Sequence, residues 1–264
     1  EYELVSGNEM GVLLLDYIAS GRKQEGTLPK NPVAVKSIVS TPLADKVAAD
    51  YGVELRHTLT GFKWIGEQIK FLEEKGEQER FIFGFEESYG YNFGMEIRDK
   101  DGIAASAICA EMALYWRKQG KSLLERLDEL FTQYGCFCET TINKVFPGAE
   151  GVEIMKNMMK ELRTSALKDI AGVKVLTIRD IDKSCSYNPL TPDKKEAVHL
   201  PVSNVLQYYL EDGTIISVRP SGTEPKIKFY IIHPQPVQGS DVAAAQAKAE
   251  QQVKMFAKAL DTLA

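Results

Sequence analysis

Apolar positions in the first half of the chain switch repeatedly between two periods. Ser6 and Glu9 have capping-box spacing, and Met10, Leu13, Leu14, Tyr17 and Ile18 then recur at the period of a helix. After Pro32, residues 33–39 form a largely β-branched run of strand length. Pro42 opens a helix with Leu43, Val47 and Tyr51 on one face, and Val53, Leu55, His57 and Leu59 alternate as a strand does. Phe62, Ile65, Ile69 and Leu72 align on a further helix, and Arg80-Phe81-Ile82-Phe83 reads as a short apolar strand. This β-α-β-α-β order predicts a mixed, mainly parallel sheet with helices on both faces. In such sheets ligands bind at the loops that follow the carboxyl ends of the strands. Three loops qualify: Ser40-Thr41-Pro42, Thr60-Gly61-Phe62-Lys63 and Phe85-Glu86-Glu87-Ser88-Tyr89-Gly90.

An alanine-rich helix over about residues 103–117 and another over 123–134 complete this α/β domain. Ser122 and Glu125 stand at the head of the second helix and Gly135 at its end. The remaining pattern differs. A strand over 136–145 precedes a helix bearing Val152, Met155, Met158, Met159 and Leu162. Strands follow at 173–178, 205–210, 214–218 and 226–232, with Asp212-Gly213 as a tight hairpin turn. Residues 184–195, with Pro189 and Pro192, read as a surface loop. A last helix aligns Val242, Ala245, Ala249, Val253, Phe256, Leu260 and Leu263. The expectation is an α/β domain over 1–135 followed by a smaller α+β domain over 136–264 with an antiparallel sheet.

Composition narrows the function. With 44% hydrophobic and 26% charged residues, the chain has the make-up of an ordinary soluble globular protein. Its formal charge of −5 gives no basic excess for a nucleic acid, whereas a small anion needs only a few local donors. No run is long enough to span a membrane. Cys109, Cys136, Cys138 and Cys185 and three scattered histidines make neither a disulfide framework nor a zinc-like cluster, so the expected setting is the reducing cytoplasm. The chain opens on Glu1-Tyr2-Glu3 rather than methionine and is expected to be a piece of something longer.

Two loops carry most of the candidate chemistry. Between two predicted strands, Arg219-Pro220-Ser221-Gly222-Thr223-Glu224-Pro225 is longer than a hairpin needs. Arg219, Ser221, Gly222 and Thr223 supply the charged fork, hydroxyls and approachable backbone that a phosphate requires, and Lys226 and Lys228 add charge on the next strand. The bland alternative is a polar loop satisfying its own backbone. In Gly84-Phe85-Glu86-Glu87-Ser88-Tyr89-Gly90, two carboxylates and a hydroxyl at the mouth of a sheet can accept from sugar hydroxyls. Equally, Glu86 can cap the next segment and Glu87 can simply be solvated. Lys63 is either a ligand contact or a first-turn lysine. Lys100, in Ile97-Arg98-Asp99-Lys100-Asp101-Gly102, is either a proton carrier or part of a charged turn. The first role requires burial or a nearby cation such as Arg98 to lower its pKa.

The string RPSGTEPKIKFY over 219–230 resembles the phosphate-binding loop in the last domain of the α-D-phosphohexomutase family. GFEESYG over 84–90 resembles the sugar-binding loop of that family's third domain. The resemblance implies that Glu86 and Ser88 hold the sugar's 3- and 4-hydroxyls. Thr58-Leu59-Thr60-Gly61-Phe62-Lys63 resembles the loop that senses which end of the sugar phosphate faces inward, which implies substrate contacts at Gly61 and Lys63. Lys100 falls where a lysine serves as proton acceptor or donor. Leu4-Val5-Ser6-Gly7-Asn8-Glu9 resembles the entry into the third domain. The likeness covers nearly the whole chain and is closest in wording to the phosphoglucomutase and phosphopentomutase branch.

By that resemblance, the whole enzyme interconverts glucose 1-phosphate and glucose 6-phosphate through a bound bisphosphate. It uses a phosphoserine in the first domain and Mg²⁺ on an aspartate-rich loop in the second. Neither a Ser-His-Asn-Pro segment nor an Asp-x-Asp-x-Asp triad occurs in this chain. No metal ligand set or cofactor is therefore expected here, and the chain alone is expected to be inactive. Its expected partners are a hexose phosphate and the missing N-terminal domains. A phosphomannomutase or phosphopentomutase fragment, or a stand-alone phosphosugar-binding module, are the alternatives.

Overall fold

A computed structural model describes residues 3–148, 150–222 and 224–262. The chain divides into two compact units, Glu1–Gly135 and Cys136–Ala264.

The first unit runs α1 (Gly7–Gln24), β1 (Val33–Ser37), α2 (Leu43–Tyr51), β2 (Glu54–Thr58), α3 (Phe62–Glu73), a 3-10 turn (Gln78–Arg80), β3 (Phe81–Glu86), β4 (Gly90–Asn92), α4 (Gly102–Lys118) and α5 (Leu123–Tyr134). The sheet order is β2-β1-β3-β4. β1 lies parallel to both β2 and β3, and β4 is antiparallel to β3. The sheet is thus mixed and mainly parallel, as the periodicity predicts. Neighbouring residues of β3 show the two helical layers, because successive side chains leave a strand on opposite sides. A Cβ on Gly84 would lie 2.7 Å from Ile65 of α3, whereas Phe85 lies against α1, where a Cβ on Gly11 would lie 2.4 Å from its ring.

Both expected capping boxes form. Ser6 Oγ accepts from Glu9 N at 3.2 Å while Glu9 Oε2 accepts from Ser6 N at 2.7 Å, and Ser122 and Glu125 repeat the exchange on α5. The apolar stripe expected on α1 is too narrow, since Val12, Leu13, Leu14, Leu15, Asp16 and Ala19 are all fully buried. The reason is that α1 is packed by β3, α2, α4 and α5 together. Its buried Asp16 is met from afar: Arg126 Nε and Nη2 donate to its two oxygens at 2.9 and 2.8 Å, and the Tyr51 hydroxyl donates at 2.8 Å. Burial first, and the Asp16 charge second, push the Tyr51 hydroxyl up to about 12.

β2 departs from the expected alternation. It is an edge strand, so His57 is exposed on it, while Val53 and Leu59 are buried just outside its ends. β4 is absent from the sequence reading. It arises because the turn after Glu86 is tight enough to pair Glu86 with Gly90.

The second unit runs β5 (Cys136–Val145), α6 (Gly151–Ser165), β6 (Asp169–Ile170), β7 (Val173–Asp180), β8 (Cys185–Tyr187), β9 (Lys195–Ala197), β10 (Leu206–Leu210), β11 (Ile215–Pro220), β12 (Lys226–Gln235) and α7 (Val242–Asp261). Its sheet has the order β5-β12-β11-β10-β7-β8-β9, with β6 on β7, and every pairing is antiparallel. One sheet face, with Ile178, Leu206, Val218, Phe229 and Ile231, packs on Met159 and Leu162 of α6 and on Val253, Phe256 and Leu260 of α7. The α7 stripe holds from Val242 to Leu260, and Leu263 lies outside the described residues. Residues 184–195, expected as a plain loop, instead hold β8 and the start of β9, with both prolines in the turn between them. The local reason is that Cys185, Ser186 and Tyr187 find backbone partners on β7 and β9 together.

Candidate functional site

Because β1, β2 and β3 are parallel, their carboxyl ends lie along one edge of the first sheet, where residues 38–42, 59–61 and 87–89 emerge. Two of the sequence-predicted residues meet there. Glu86, buried as the last residue of β3, accepts from the backbone N–H of Gly61 at 2.5 Å. Gly61 has φ 121° and ψ 126° as the N-cap of α3, a backbone conformation that favours glycine. The expected sugar loop and the expected orientation-sensing loop are therefore tied by one charge-assisted bond. Lys63 is exposed, with its ammonium 4.7 Å from the Trp64 ring centroid.

The turn 87–89 is set from below by the start of α1. A Cβ on Gly7 would fall 2.0 Å from the Glu87 carbonyl oxygen, so only glycine permits this approach. The Tyr91 hydroxyl donates to Gly7 O at 2.9 Å, and the Tyr89 hydroxyl donates to Val5 O at 3.1 Å. Glu87 is no idle solvated side chain. Its Oε2 accepts from Ser37 Oγ at 3.1 Å and its Oε1 from Ser88 Oγ at 3.0 Å, while Ser37 and Ser40 share a bond of 2.8 Å.

Lys100 is carried by a loop that Asn92 organises, its amide donating to Ile97 O and Asp99 O at 2.6 and 3.0 Å. The Lys100 stem crosses Gly90, where an added Cβ would lie 3.1 Å away, and its ammonium lies 5.0 Å from the Phe62 ring centroid. It thus reaches the hairpin of β3 and β4. Lys100 is exposed and bonded to Asp99 Oδ1 at 2.8 Å, and Arg98 is paired with Glu73. The Lys100 hydrogen bond holds the Asp99 carboxyl below its usual range.

Beneath the first loop lies a group that the sequence reading passed over. Lys36, on the central strand, is buried and donates to Ser40 O at 3.3 Å, Thr41 O at 2.8 Å and Asp45 Oδ2 at 2.5 Å. Asp45 Oδ1 in turn meets His57 Nε2 at 2.6 Å. Burial lowers the Lys36 pKa, against the opposing charge of Asp45. Burial raises that of Asp45, but the His57 bond and the Lys36 charge outweigh it and leave the carboxyl below its ordinary value. Asn8 Oδ1 accepts from Thr41 N at 2.9 Å, which fixes the same loop from α1. The available signal was a lysine inside an otherwise apolar parallel strand, since a charge buried there must be paired.

In the second unit, Arg219 on β11 and Lys228 on β12 stand directly opposite in the antiparallel register. Both are half-buried, and among the described residues neither has an acidic ion-pair partner. Lys228 leans toward the Tyr230 ring at 5.9 Å. Lys226, expected to add to this charge, is instead neutralised by an ion pair with Glu224. Ser221 N donates to Lys226 O at 2.8 Å, which narrows the base of the loop. Gly222 is exposed, with open space around its missing Cβ, and Thr223 lies outside the described residues. Like charges opposed across a ladder destabilise it, so an anion bridging the pair would relieve the strand as well as being held by it.

Among the described residues no three His, Cys, Asp or Glu side chains converge as metal ligands, and no helix is long and apolar enough to cross a membrane.

Comparison with known proteins adds sequence evidence to this geometry. Residues 6–134 match the family described as phosphoglucomutase/phosphomannomutase, alpha/beta/alpha domain III, and residues 155–249 match the phosphoglucomutase/phosphomannomutase C-terminal domain. A phosphoglucomutase of Staphylococcus epidermidis strain RP62A is 35% identical over 226 residues, which cover 86% of this chain and 40% of that protein. One from Staphylococcus haemolyticus is 34% identical over 225 residues, covering 85% and 39%. The chain thus spans about 40% of the length of these relatives. In fold it is similar to the open form of the Paramecium phosphoprotein pp63/parafusin, a phosphoglucomutase, with a TM-score of 0.60 at 19% identity over 98% of this chain and 42% of that one. A phosphoglucomutase/phosphomannomutase family protein from Burkholderia thailandensis gives a TM-score of 0.54 at 15% identity over 99% and 42%.

Proposed function

Since the chain belongs to the phosphoglucomutase/phosphomannomutase family and carries its third and C-terminal domains, we propose that it is the sugar- and phosphate-binding part of a phosphoglucomutase. The whole enzyme interconverts glucose 1-phosphate and glucose 6-phosphate. The observation that carries the phosphate half is the opposed Arg219–Lys228 pair without an acidic ion-pair partner among the described residues. These two side chains grip the non-reacting phosphate, with Ser221, Gly222 and Thr223 supplying hydroxyl and backbone donors. The names of the relatives that are 34–35% identical favour glucose as the sugar.

In the first unit, Glu86 and Ser88 accept from two ring hydroxyls, and Gly61 and Lys63 line the neighbouring loop. Lys100 is the candidate proton carrier for the reacting hydroxyl. Its exposure means that bound substrate, rather than the apo fold, would have to remove it from water. The covalent acceptor and the Mg²⁺ belong to parts of the enzyme other than these residues. The 264-residue chain by itself is therefore proposed to bind a hexose phosphate without converting it.

The test is an NMR titration of the chain with glucose 1-phosphate, alongside Arg219→Ala and Lys228→Ala. Each substitution removes a charge-assisted contact worth about 1.5–3 kcal/mol, so affinity is expected to fall by roughly 10- to 100-fold. Shifts are expected at 86–88 and at 219–222. An unresponsive spectrum at millimolar ligand, or full affinity without Arg219, would refute the assignment. A mutase assay of the same chain with Mg²⁺ and glucose 1,6-bisphosphate is expected to show no conversion.

A further inference from the structure

We propose that Glu87 is a positioning residue that sets the direction of the surrounding hydroxyl protons, so that the side chains of the Glu86-Glu87-Ser88 turn offer a ligand hydrogen-bond acceptors alone. The inference rests on the sugar-binding reading above and adds to it the polarity of the contact.

A carboxylate only accepts, and a serine hydroxyl has a single proton to give. Ser37 lies within 3.1 Å of Glu87 Oε2, so its proton is spent on that oxygen. The 2.8 Å bond between Ser37 and Ser40 must then run from Ser40 to Ser37. Ser88 spends its proton on Glu87 Oε1 at 3.0 Å. Three hydroxyls therefore point toward one carboxylate, two directly and one in relay, and a chain polarised in one direction strengthens each of its bonds. Ser37 and Ser40 are buried, which removes water as a competing acceptor, whereas Ser88 is exposed and turns its lone pairs outward. Beside it Glu86, also a carboxylate, contributes acceptor oxygens only. The two tyrosine hydroxyls of the hairpin are spent on Val5 O and Gly7 O.

A ring seated on this turn must bring its own protons. The ligand class is a polyol ring with two adjacent free hydroxyls, and replacing either hydroxyl by fluorine should cost as much as deleting it. A turn in which Ser88 donated would behave differently, because fluorine keeps some acceptor character.

The test measures dissociation constants of the full chain for glucose 1-phosphate and for its 4-deoxy and 4-deoxy-4-fluoro analogues, together with the matching 3-position pair. Both analogues are expected to bind roughly 10- to 100-fold more weakly than the parent, with no advantage to fluorine. In Glu87→Gln the amide can donate to Ser88, freeing its proton, and the fluoro analogue should then bind better than the deoxy one; a merely structural role for Glu87 would not move that ratio. A fluoro advantage in the unsubstituted chain would overturn the proposal. Neutron diffraction of the perdeuterated chain supplies a ligand-independent arm. The Ser37 and Ser88 deuterons are expected on the lines to Glu87, and a Ser88 deuteron aimed away from it would also overturn the proposal. Should glucose 1-phosphate fail to bind at all, the sugar-binding reading falls, while the deuteron positions still decide the polarity.

Discussion

Replacing Asp45 by asparagine tests whether the buried lysine of the first sheet organises the loop above it. Lys36 keeps 3% side-chain exposure and Asp45 keeps 38%, so the pair is buried at one end and open at the other. Removing one member of a fully buried pair costs about 3–5 kcal/mol, because the survivor is left charged and unpaired. The open end at Asp45 admits solvent, and asparagine retains one acceptor oxygen, so the expected loss is about 2 kcal/mol. Trp64 and Trp116 are the chain's two tryptophans and both belong to the first unit, so their fluorescence reports its unfolding alone. With a urea slope of about 1–3 kcal/mol/M, the midpoint should fall by about 1 M. The companion Lys36→Met/Asp45→Asn should be more stable than Asp45→Asn, because the unpaired charge has been removed with its partner. In ¹H–¹⁵N spectra the single substitution should move the Ser40 and Thr41 amides, because Lys36, which donates to both carbonyls, loses its anchoring carboxylate. A single variant within about 0.5 kcal/mol of the parent, or a double variant less stable than the single, would refute the reasoning.

Acid should release the same clamp. Asp45 has a folded pKa below its ordinary 3.8, so its contribution is complete above that pH and is lost as pH falls through the folded value, with tryptophan fluorescence as the measure. Lys36 adds a pH dependence of the same sign in its own window: its lowered folded pKa is a penalty on the charged form that eases as pH rises through that value. Gly7→Ala should cost about 1–3 kcal/mol by overpacking against the Glu87 carbonyl and should shift residues 87–89 in the amide spectrum. Unchanged shifts there would separate α1 from the turn over 87–89. In the second unit, Phe256→Ala removes a fully buried ring of α7 and should cost about 3–5 kcal/mol, read by far-ultraviolet circular dichroism in urea.

What could be read from the sequence was local in origin. Ser6 with Glu9 and Ser122 with Glu125 announce their helices because each box closes within four residues. The α7 stripe is legible because one sheet face covers it, so burial and period agree. α1 defeats the same logic, since helices on several sides bury its polar Asp16 as deeply as Leu14. The Asp16 partner lies 110 residues away, beyond any window of periodicity. The loop over 219–225 has the residue types of a phosphate binder, yet which lysine stands across from Arg219 could not be read. That required the pairing of Lys226 with Glu224 and the register that sets Lys228 across from Arg219. Likewise Glu86 and Ser88 can be singled out by residue type, but the contact of Glu87 with Ser37 exists only because β1 and β3 lie side by side.

The Asp16–Arg126 contact also bears on how the first unit is made. A ribosome delivers α1 early and α5 last, so for most of synthesis Asp16 has no guanidinium to meet. Burying it in that interval would strand a charge at a cost of several kcal/mol. Until residue 126 has emerged, the Tyr51 hydroxyl is the partner available to Asp16, so full closure of α1 against its neighbours is expected to wait for α5.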